Sequence, residues 1–388
     1  MPAERPQEHR SGPVQPAGGT GVQAKRIVLL GGSGDVGSRL ARLLLENTDA
    51  AVTVVSRHAG GHDGQFGDRL RHVSFDLSGG GNLTTSPKDI VVNLTEVTPP
   101  SVARQVVERG GWFLETSATP GYLSAIQKAL EGTPGGGIAI LCVGVAPGLT
   151  NLLAAEIATR ARDTVHIDIG VEMGMGRHYG FAATEWFLRT AGQPYNAFVE
   201  HVPREVAPGR FRRKLAFRSG HPPRHAIGYG FAEQQVIAER SGRQLKTVRS
   251  FVALDPAWMT RLLAVLLALG LGPAIGRKAR GLTRWLLRTP AIGRSLSRFV
   301  LEGFDDAGHL TGRIRLETGD QAKATAVMTY ATIQSILERG RPEHGAVTTI
   351  TDHLSLDAAL RMLRRFLPGT QVTDSFADDA GKPNEMLG

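Results

Sequence analysis

The feature that most restricts the fold is one twelve-residue run, Arg26-Ile27-Val28-Leu29-Leu30-Gly31-Gly32-Ser33-Gly34-Asp35-Val36-Gly37. It opens as an apolar strand and passes through Gly-x-Gly-x-x-Gly. Beyond it, Leu40, Leu43 and Leu44 share one face of a helix. A strand, a glycine turn and a helix in that order make the first half of a βαβ unit. Gly32 permits the tight turn, Gly34 lets backbone approach a pyrophosphate, and Gly37 lets the helix pack closely on the strand. The helix start, with Ser33, Asp35 and Val36, directs unpaired N–H groups and the positive end of the dipole at that phosphate. The run therefore implies a dinucleotide site, the alternative being a glycine-rich turn with no ligand.

Alternation of short apolar runs and helical segments continues this theme. Strands are expected at residues 51–55, 72–75, 90–93, 112–114 and 138–143, with helices near 101–109 and 123–130. Six strands joined by crossovers give a doubly wound parallel sheet, a Rossmann domain over residues 25–148. The end of the second strand selects the cofactor. A carboxylate there would hold both ribose hydroxyls of NAD, but this chain has Ser56-Arg57. Arginine offers a planar fork of donors to a 2′-phosphate, so NADP(H) is expected. The alternative is a solvated strand-end Arg57 and the use of either cofactor. Asp76 should flank the adenine, while Asn93, Thr95, Thr116 and Ser117 should run beneath the ribose and nicotinamide.

Past residue 148 the pattern changes to an α+β substrate domain, expected over 149–342. Residues 165–171 alternate like a half-exposed strand. Further strands are expected near 214–217, 247–254 and 311–316, and helices near 324–330 and 355–366. Residues 343–373 are expected to return to the first domain. Residues 1–24 are rich in Pro, Gly and Gln and read as a disordered leader, with 374–388 as a loose tail. The single cysteine, Cys142, excludes an internal disulfide and a multi-cysteine metal site; it reads as a core residue of a cytoplasmic protein.

The net charge of +9 is uneven. Residues 201–250 hold eleven Lys or Arg against three acids, and 257–300 hold eight against none. That asymmetry implies an anionic substrate, carrier or surface. The apolar stretch 262–275 is shorter than the roughly 20 residues of a membrane span. It runs into Arg277, Lys278, Arg280, Arg284 and Arg288, interleaved with Trp285, Leu286 and Leu287. Three readings stay open. The segment lies peripherally on an anionic membrane, or lines a hydrophobic substrate tunnel whose basic mouth attracts an acidic carrier protein, or forms a core or dimer helix. With 6% aromatic residues and no binding module, nucleic acid is not an expected partner.

Pro147-Gly148 opens a helix whose free N–H groups, with Thr150 and Asn151, are candidates for holding a substrate carboxylate or carbonyl; the alternative is ordinary helix capping. His178 and Tyr179, in the loop after the strand at 165–171, are the candidate proton donors, ahead of His221, His225 and Tyr229. Two histidine pairs have four-residue spacing. Gly60-Gly61 separates His58 from His62, and Pro222-Pro223 separates His221 from His225, so neither is expected to be helical and no metal is expected.

Taken with Gly31 to Gly37, the run Val143-Gly144-Val145-Ala146-Pro147-Gly148-Leu149-Thr150-Asn151-Leu152-Leu153-Ala154 resembles the saccharopine dehydrogenase-like (saccharopine reductase) family. The resemblance implies a Rossmann domain, a Pro-Gly-Leu crossing into the substrate domain, and a closing return over residues 345–368. It also implies a homodimer and NADP-dependent hydride transfer at a carbon centre. Some members make or break secondary amines through an imine; others resemble enoyl reductases or lipid-associated proteins. The chain departs from the pattern at Asn93-Leu94-Thr95-Glu96, which lacks a Gly-Pro, and at Glu115-Thr116-Ser117-Ala118, which lacks a following acid. The expectation is a reductase acting on a C=N or activated C=C bond of a biosynthetic, hydrophobic or carrier-bound small molecule. The alternative is a non-catalytic nucleotide-binding protein at a lipid or membrane surface.

Overall fold

The computed structural model describes residues 26–57, 64–79, 84–87, 89–134, 136–176, 179–242, 244–339 and 347–376. Its first unit follows the apolar runs: β1 (Arg26–Leu30), α1 (Asp35–Asn47), β2 (Ala51–Ser56), β3 (Leu70–Ser74) and β4 (Ile90–Asn93). Next come α2 (Pro100–Glu108), β5 (Trp112–Glu115), α3 (Pro120–Leu130) and β6 (Ile138–Leu141). All pairings are parallel, and both faces of the sheet are buried by helices, which is why these strands read as nearly unbroken apolar runs. Strand order reverses between β1 and β4, the switch point beside which the glycine turn lies.

The second unit contains α4 (Leu149–Arg160), β7 (His166–Gly174), α5 (Phe181–Ala191), β8 (Tyr195–Val199), β9 (Val202–Val206), β10 (Arg212–Leu215) and β11 (Arg224–Gly228). It continues through α6 (Glu233–Arg240), β12 (Thr247–Asp255), α7 (Ala257–Ala268), α8 (Gly272–Arg277), α9 (Ala279–Leu286), β13 (Ser297–Phe304) and β14 (Leu310–Thr318). The chain closes with α10 (Gln321–Arg339), β15 (Val347–Thr349), α11 (Ile350–His353), α12 (Leu356–Phe366) and β16 (Gln371–Phe376). The second sheet is mixed, in the order β10-β11-β12-β7-β13-β14-β16, with the β8–β9 hairpin attached at β12.

Three expectations change. The return to the first unit begins earlier than residue 343: α10 packs along α1, and the Thr329 hydroxyl donates to the Val143 carbonyl at 3.0 Å. That return is also divided, because β15 pairs with β6 while β16 pairs with β14 in the other sheet. Asp374 to Phe376 consequently belong to a strand rather than a loose tail. Arg160 pairs with Asp374 and stacks over the Phe376 ring, fixing the strand from both sides.

The strand at 165–171 is β7, but its polar positions are not exposed. Asp168 and Glu172 are buried, and each faces a cross-strand partner: Arg249 on β12 and Arg298 on β13. Arg249 Nε lies 2.8 Å from Asp168, and Arg298 Nη1 lies 2.6 Å from Glu172. Segment 211–218 covers the same face with Phe211, Leu215 and Phe217. Alternation alone could not distinguish this ladder from a wet face, since both place charge at every second residue.

Candidate functional site

The glycine turn has the shape its sequence requires. Gly31 has φ +76°, a conformation that side chains with a Cβ resist, and its N–H donates to Val55 O at 2.9 Å. A Cβ on Gly37 would lie 2.5 Å from Gly32 Cα, so only glycine lets α1 seat on the turn. A Cβ on Gly34 would meet nothing closer than Gly31 O at 3.4 Å, which leaves its outer surface open to a ligand. The first bond into α1 is Ser38 N–H to Gly34 O at 2.9 Å. The N–H groups of Val36 and Gly37 therefore precede the intrahelical ladder and point out of the helix end. Ser33 is exposed at the tip, and Asp35 pairs with Arg39 at 2.9 Å, which offsets a negative charge close to a phosphate position. Thr95, from the loop after β4, packs against Gly31. This cradle fits a dinucleotide pyrophosphate.

At the end of β2, the Ser56 carbonyl accepts from Phe75 N–H at 2.9 Å and the Arg57 carbonyl accepts from Ser74 Oγ at 3.0 Å. Arg57 is exposed. Asp76 curls onto Ser78, accepting from its N–H at 3.0 Å and its hydroxyl at 2.7 Å. Those bonds, with a smaller contribution from the Arg57 charge, hold the Asp76 carboxyl below its ordinary range. No carboxylate follows β2 in sequence, but the fold brings one to Arg57 from the end of β3.

Beneath the ends of β4 and β5 lies a buried polar network. Asn93 Nδ2 donates to Glu115 at 2.7 Å and to Tyr122 Oη at 3.0 Å, while Asn93 Oδ1 accepts from Thr98 at 2.7 Å. The Ser117 N–H donates to Glu115 at 2.7 Å, the Thr116 hydroxyl donates to Asn93 O at 2.8 Å, and Tyr122 donates to Thr98 O at 2.6 Å. Asn93 is fully engaged, so it braces the strand ends from below rather than presenting its amide to a ligand. Burial pushes the Glu115 carboxyl up to about 7 against the donors that favour its charged form, and burial likewise raises the Tyr122 hydroxyl.

Above this network, the second unit closes over the strand ends. Thr119 donates through its hydroxyl to Glu96 at 2.7 Å, and Trp186 Nε1 on α5 donates to the Thr119 hydroxyl at 2.6 Å. Trp186 stacks on Phe231, and Tyr229 packs between Phe231 and Phe187. Tyr229 also bonds to Thr190 and to Phe187 O, so its hydroxyl is enclosed and raised by burial. Glu96, Thr119 and Trp186 had no signature in the sequence. They come from three segments, and only the docking of α5 unites them.

The crossing at Pro147-Gly148 also forms. Gly148 has φ +135°, and its N–H donates to Asn151 Oδ1 at 2.8 Å, which makes Asn151 a helix cap. Asn151 also hydrogen-bonds the Cys142 thiol, which burial raises. The Thr150 hydroxyl is buried with no partner among the described residues. Tyr179 donates to Gly174 O at 2.9 Å, and a Cβ on the adjoining Gly180 would lie 3.6 Å from Asp35 Cβ, so this turn abuts the start of α1. His178, His58 and His62 lie outside the described residues. His221 and His225 line a separate cavity beside α7. Among the described residues no three His, Cys, Asp or Glu side chains gather as metal ligands.

No model of a known protein family matches the sequence, and no curated protein does. Solved structures do match. Apo saccharopine dehydrogenase (L-Glu forming) of Saccharomyces cerevisiae aligns with a TM-score of 0.56 and 13% identity, covering 90% of this chain and 100% of that one. The chain has a saccharopine dehydrogenase-like fold. Looser similarity extends to the C. glutamicum DAP dehydrogenase in complex with DAP, at TM-score 0.43 and 12% identity over 88% of this chain and 96% of that one. An engineered D-amino acid dehydrogenase bound to NADP+ aligns at TM-score 0.42 and 11% identity, again over 88% and 96%.

Proposed function

We propose that the protein is an NADP(H)-dependent oxidoreductase acting at a C=N or activated C=C bond of a small molecule. The observation that carries this reading is the open glycine turn and its abutment by the Tyr179-Gly180 turn. An open glycine turn at the switch point faces α5 and the Tyr179-Gly180 turn, with Glu96, Thr119 and Trp186 meeting across it. The fold supports the reading, and Arg57 at the end of β2 supports NADP over NAD. Gly32, Ser33, Gly34, Asp35, Val36 and Gly37 would hold the pyrophosphate, Ser56, Arg57 and Asp76 the adenosine, and Thr95 and Thr116 the nicotinamide ribose.

Bound NADPH supplies hydride to the electron-poor carbon of such a bond. The matching proton goes to nitrogen or to the adjacent carbon and must come from this chain or its water. Glu96 is the proposed proton-handling group, because its carboxylate is held by Thr119 beside the position expected for the nicotinamide. His178, which lies outside the described residues, and Tyr179 are proposed as alternative donors. Gly148, Thr150 and Asn151 form the proposed substrate floor, with the unpartnered Thr150 hydroxyl as its polar contact.

A hydrophobic or carrier-bound substrate and a homodimer belong to the same proposal, since the half-buried Trp186, backed by the buried rings of Tyr229 and Phe231, offers an apolar surface. A second reading, a nucleotide-binding protein at a membrane surface without catalysis, is favoured by one observation. The apolar segment at 262–275 does not line a tunnel; Leu262, Val265, Leu269 and Leu271 are exposed. Supplying purified protein with NADPH and a panel of cyclic imines, enones and carrier-linked enoyl thioesters separates the two. Turnover that falls about 10²-fold or more in Glu96→Gln supports the enzyme. Tight NADPH binding without oxidation by any class overturns it.

A further inference from the structure

Helix α7 packs on β11 and β12, and α8 and α9 pack on α5. α7 buries Thr260, Leu263 and Leu267 against the second sheet. Its opposite face carries Trp258, Leu262, Val265 and Leu269, spaced four, three and four residues apart as one helical stripe. These four side chains are 50% to 68% exposed. Seven of the ten large apolar side chains exposed among the described residues fall within residues 258–292. Single exposed apolar residues are ordinary, but a contiguous stripe marks an interaction site.

The charge around the stripe has one sign. Residues 257–300 contain eight Lys or Arg and no acid. Arg298 is buried in its ladder, while Arg261, Arg277, Lys278, Arg280, Arg284, Arg288 and Arg294 are exposed. Beside the first turn of α7 lies a cavity of about 300 Å³, lined by Arg218, His221, Arg224, His225 and Arg261 among others and by no carboxylate. Among the described residues neither Arg218 nor Arg261 has a carboxylate partner, whereas Arg224 is held by Glu172 and Asp255. The apolar stripe and the cationic cavity thus meet at the first turn of α7, and the further exposed cations follow along α8 and α9.

We propose that this surface seats on an anionic phospholipid bilayer, with Trp258, Leu262, Val265 and Leu269 at the headgroup–acyl boundary and the cavity receiving a lipid phosphate. A second copy is disfavoured as the occupant, because a two-fold contact would set seven cations against seven with no acid between them. Attraction to anionic headgroups and burial of an apolar face are the two contributions that hold an interfacial helix in place. No described helix is long and apolar enough to cross a membrane, which fits a surface element. The layer is tied to the cleft: α9 packs along α5, and Gly192 meets Gly272 so closely that a Cβ on Gly192 would lie 2.1 Å from Gly272 O. The proposal takes up the membrane-surface contact named above with or without turnover at the nucleotide site, and its test does not use catalysis.

The full chain is floated with vesicles of phosphatidylcholine alone and with phosphatidylglycerol added, at low and high salt. Binding to the anionic vesicles only, weakened by salt, is expected. Leu262→Glu with Leu269→Glu should abolish it while leaving NADPH affinity unchanged. Arg277→Glu and Arg284→Glu should each weaken it by about fivefold or more, from the roughly 1 kcal/mol that a cation near such a surface contributes. Absence of flotation at low salt overturns the proposal. So does dimerisation lost in the Leu262→Glu/Leu269→Glu variant without vesicle binding, capture of a purified acidic carrier protein in place of vesicles, or protection of the cavity by inorganic phosphate with no vesicle binding. Loss of NADPH turnover with flotation intact would overturn the catalytic reading and leave this one standing.

Discussion

The two sheets of this protein bury comparable strands by different means. In the first, both faces of β1, β4, β5 and β6 are apolar, and helices cover them. In the second, one face is apolar and the other carries charge in register. Glu317, Arg298 and Glu172 run across β14, β13 and β7; Arg313, Glu302, Asp168 and Arg249 run across β14, β13, β7 and β12. The apolar sheet tolerates any neighbour of suitable volume, because hydrophobic burial has no direction. In the charged sheet Glu302 and Asp168 lie opposite each other as like charges, and Arg313, Arg213 and Arg249 around them compensate, so a slip of one residue would carry every charge to the apolar face. The difference teaches why the strands of the first unit were legible one at a time, whereas those of the second make sense only together.

The charged ladder is most vulnerable at Arg298, which pairs with both Glu172 and Glu317. Replacing Arg298 with Met leaves Glu172 and Glu317 short of a partner, and about 3–5 kcal/mol of stability should be lost in urea unfolding. A loss below about 1 kcal/mol would mean that the ladder contributes no more than a surface pair.

The next largest effect belongs to buried acids. Glu115, with its carboxyl raised to about 7, and Glu233, raised similarly by burial, keep protons in the folded chain that the unfolded chain releases above about 4.5. The folded state therefore binds more protons between those values. Stability should fall as pH rises through that window, by on the order of 2–3 kcal/mol per group, and level off above it. Glu115→Gln should remove its share of the slope in urea midpoints measured against pH; an unchanged slope would show that Glu115 stays ionised.

Gly37→Ala probes the tightest backbone contact of the glycine turn. It should lower stability by about 1–3 kcal/mol through overpacking and reduce NADPH affinity in parallel. Normal affinity in calorimetry would place the cofactor elsewhere. The smallest effect is at Arg57. Arg57→Ala should weaken NADPH by about tenfold to a hundredfold and leave NADH nearly unchanged, removing one charge-assisted contact. Equal losses for both cofactors would assign Arg57 to the fold instead of the 2′-phosphate.

Much of the first unit was legible because its signals are local. A strand, a glycine turn and a helix within twelve residues define the switch point, and Gly31, Gly32 and Gly37 have the contacts their types imply. The crossing at Gly148 was equally plain, although Asn151 caps the helix. The cleft was not legible. Glu96, Thr119 and Trp186 carry no spacing of their own, and Asp76 reaches Arg57 only because β3 lies beside β2. The apolar run at 262–275 supported a tunnel, a core helix or a surface equally well, since hydrophobicity does not state which face is covered.

By itself the sequence determined the doubly wound sheet, the glycine cradle and the turn into the second unit, because each follows from residues adjacent in the chain. Tertiary structure alone decided the two charged ladders, the bracing role of Asn93, the meeting of Glu96 with Trp186 and the bare face of α7. Arg298 and Glu172 stand 126 residues apart. Pairing over such a separation depends on which strands become neighbours, and no local pattern of polarity encodes that choice.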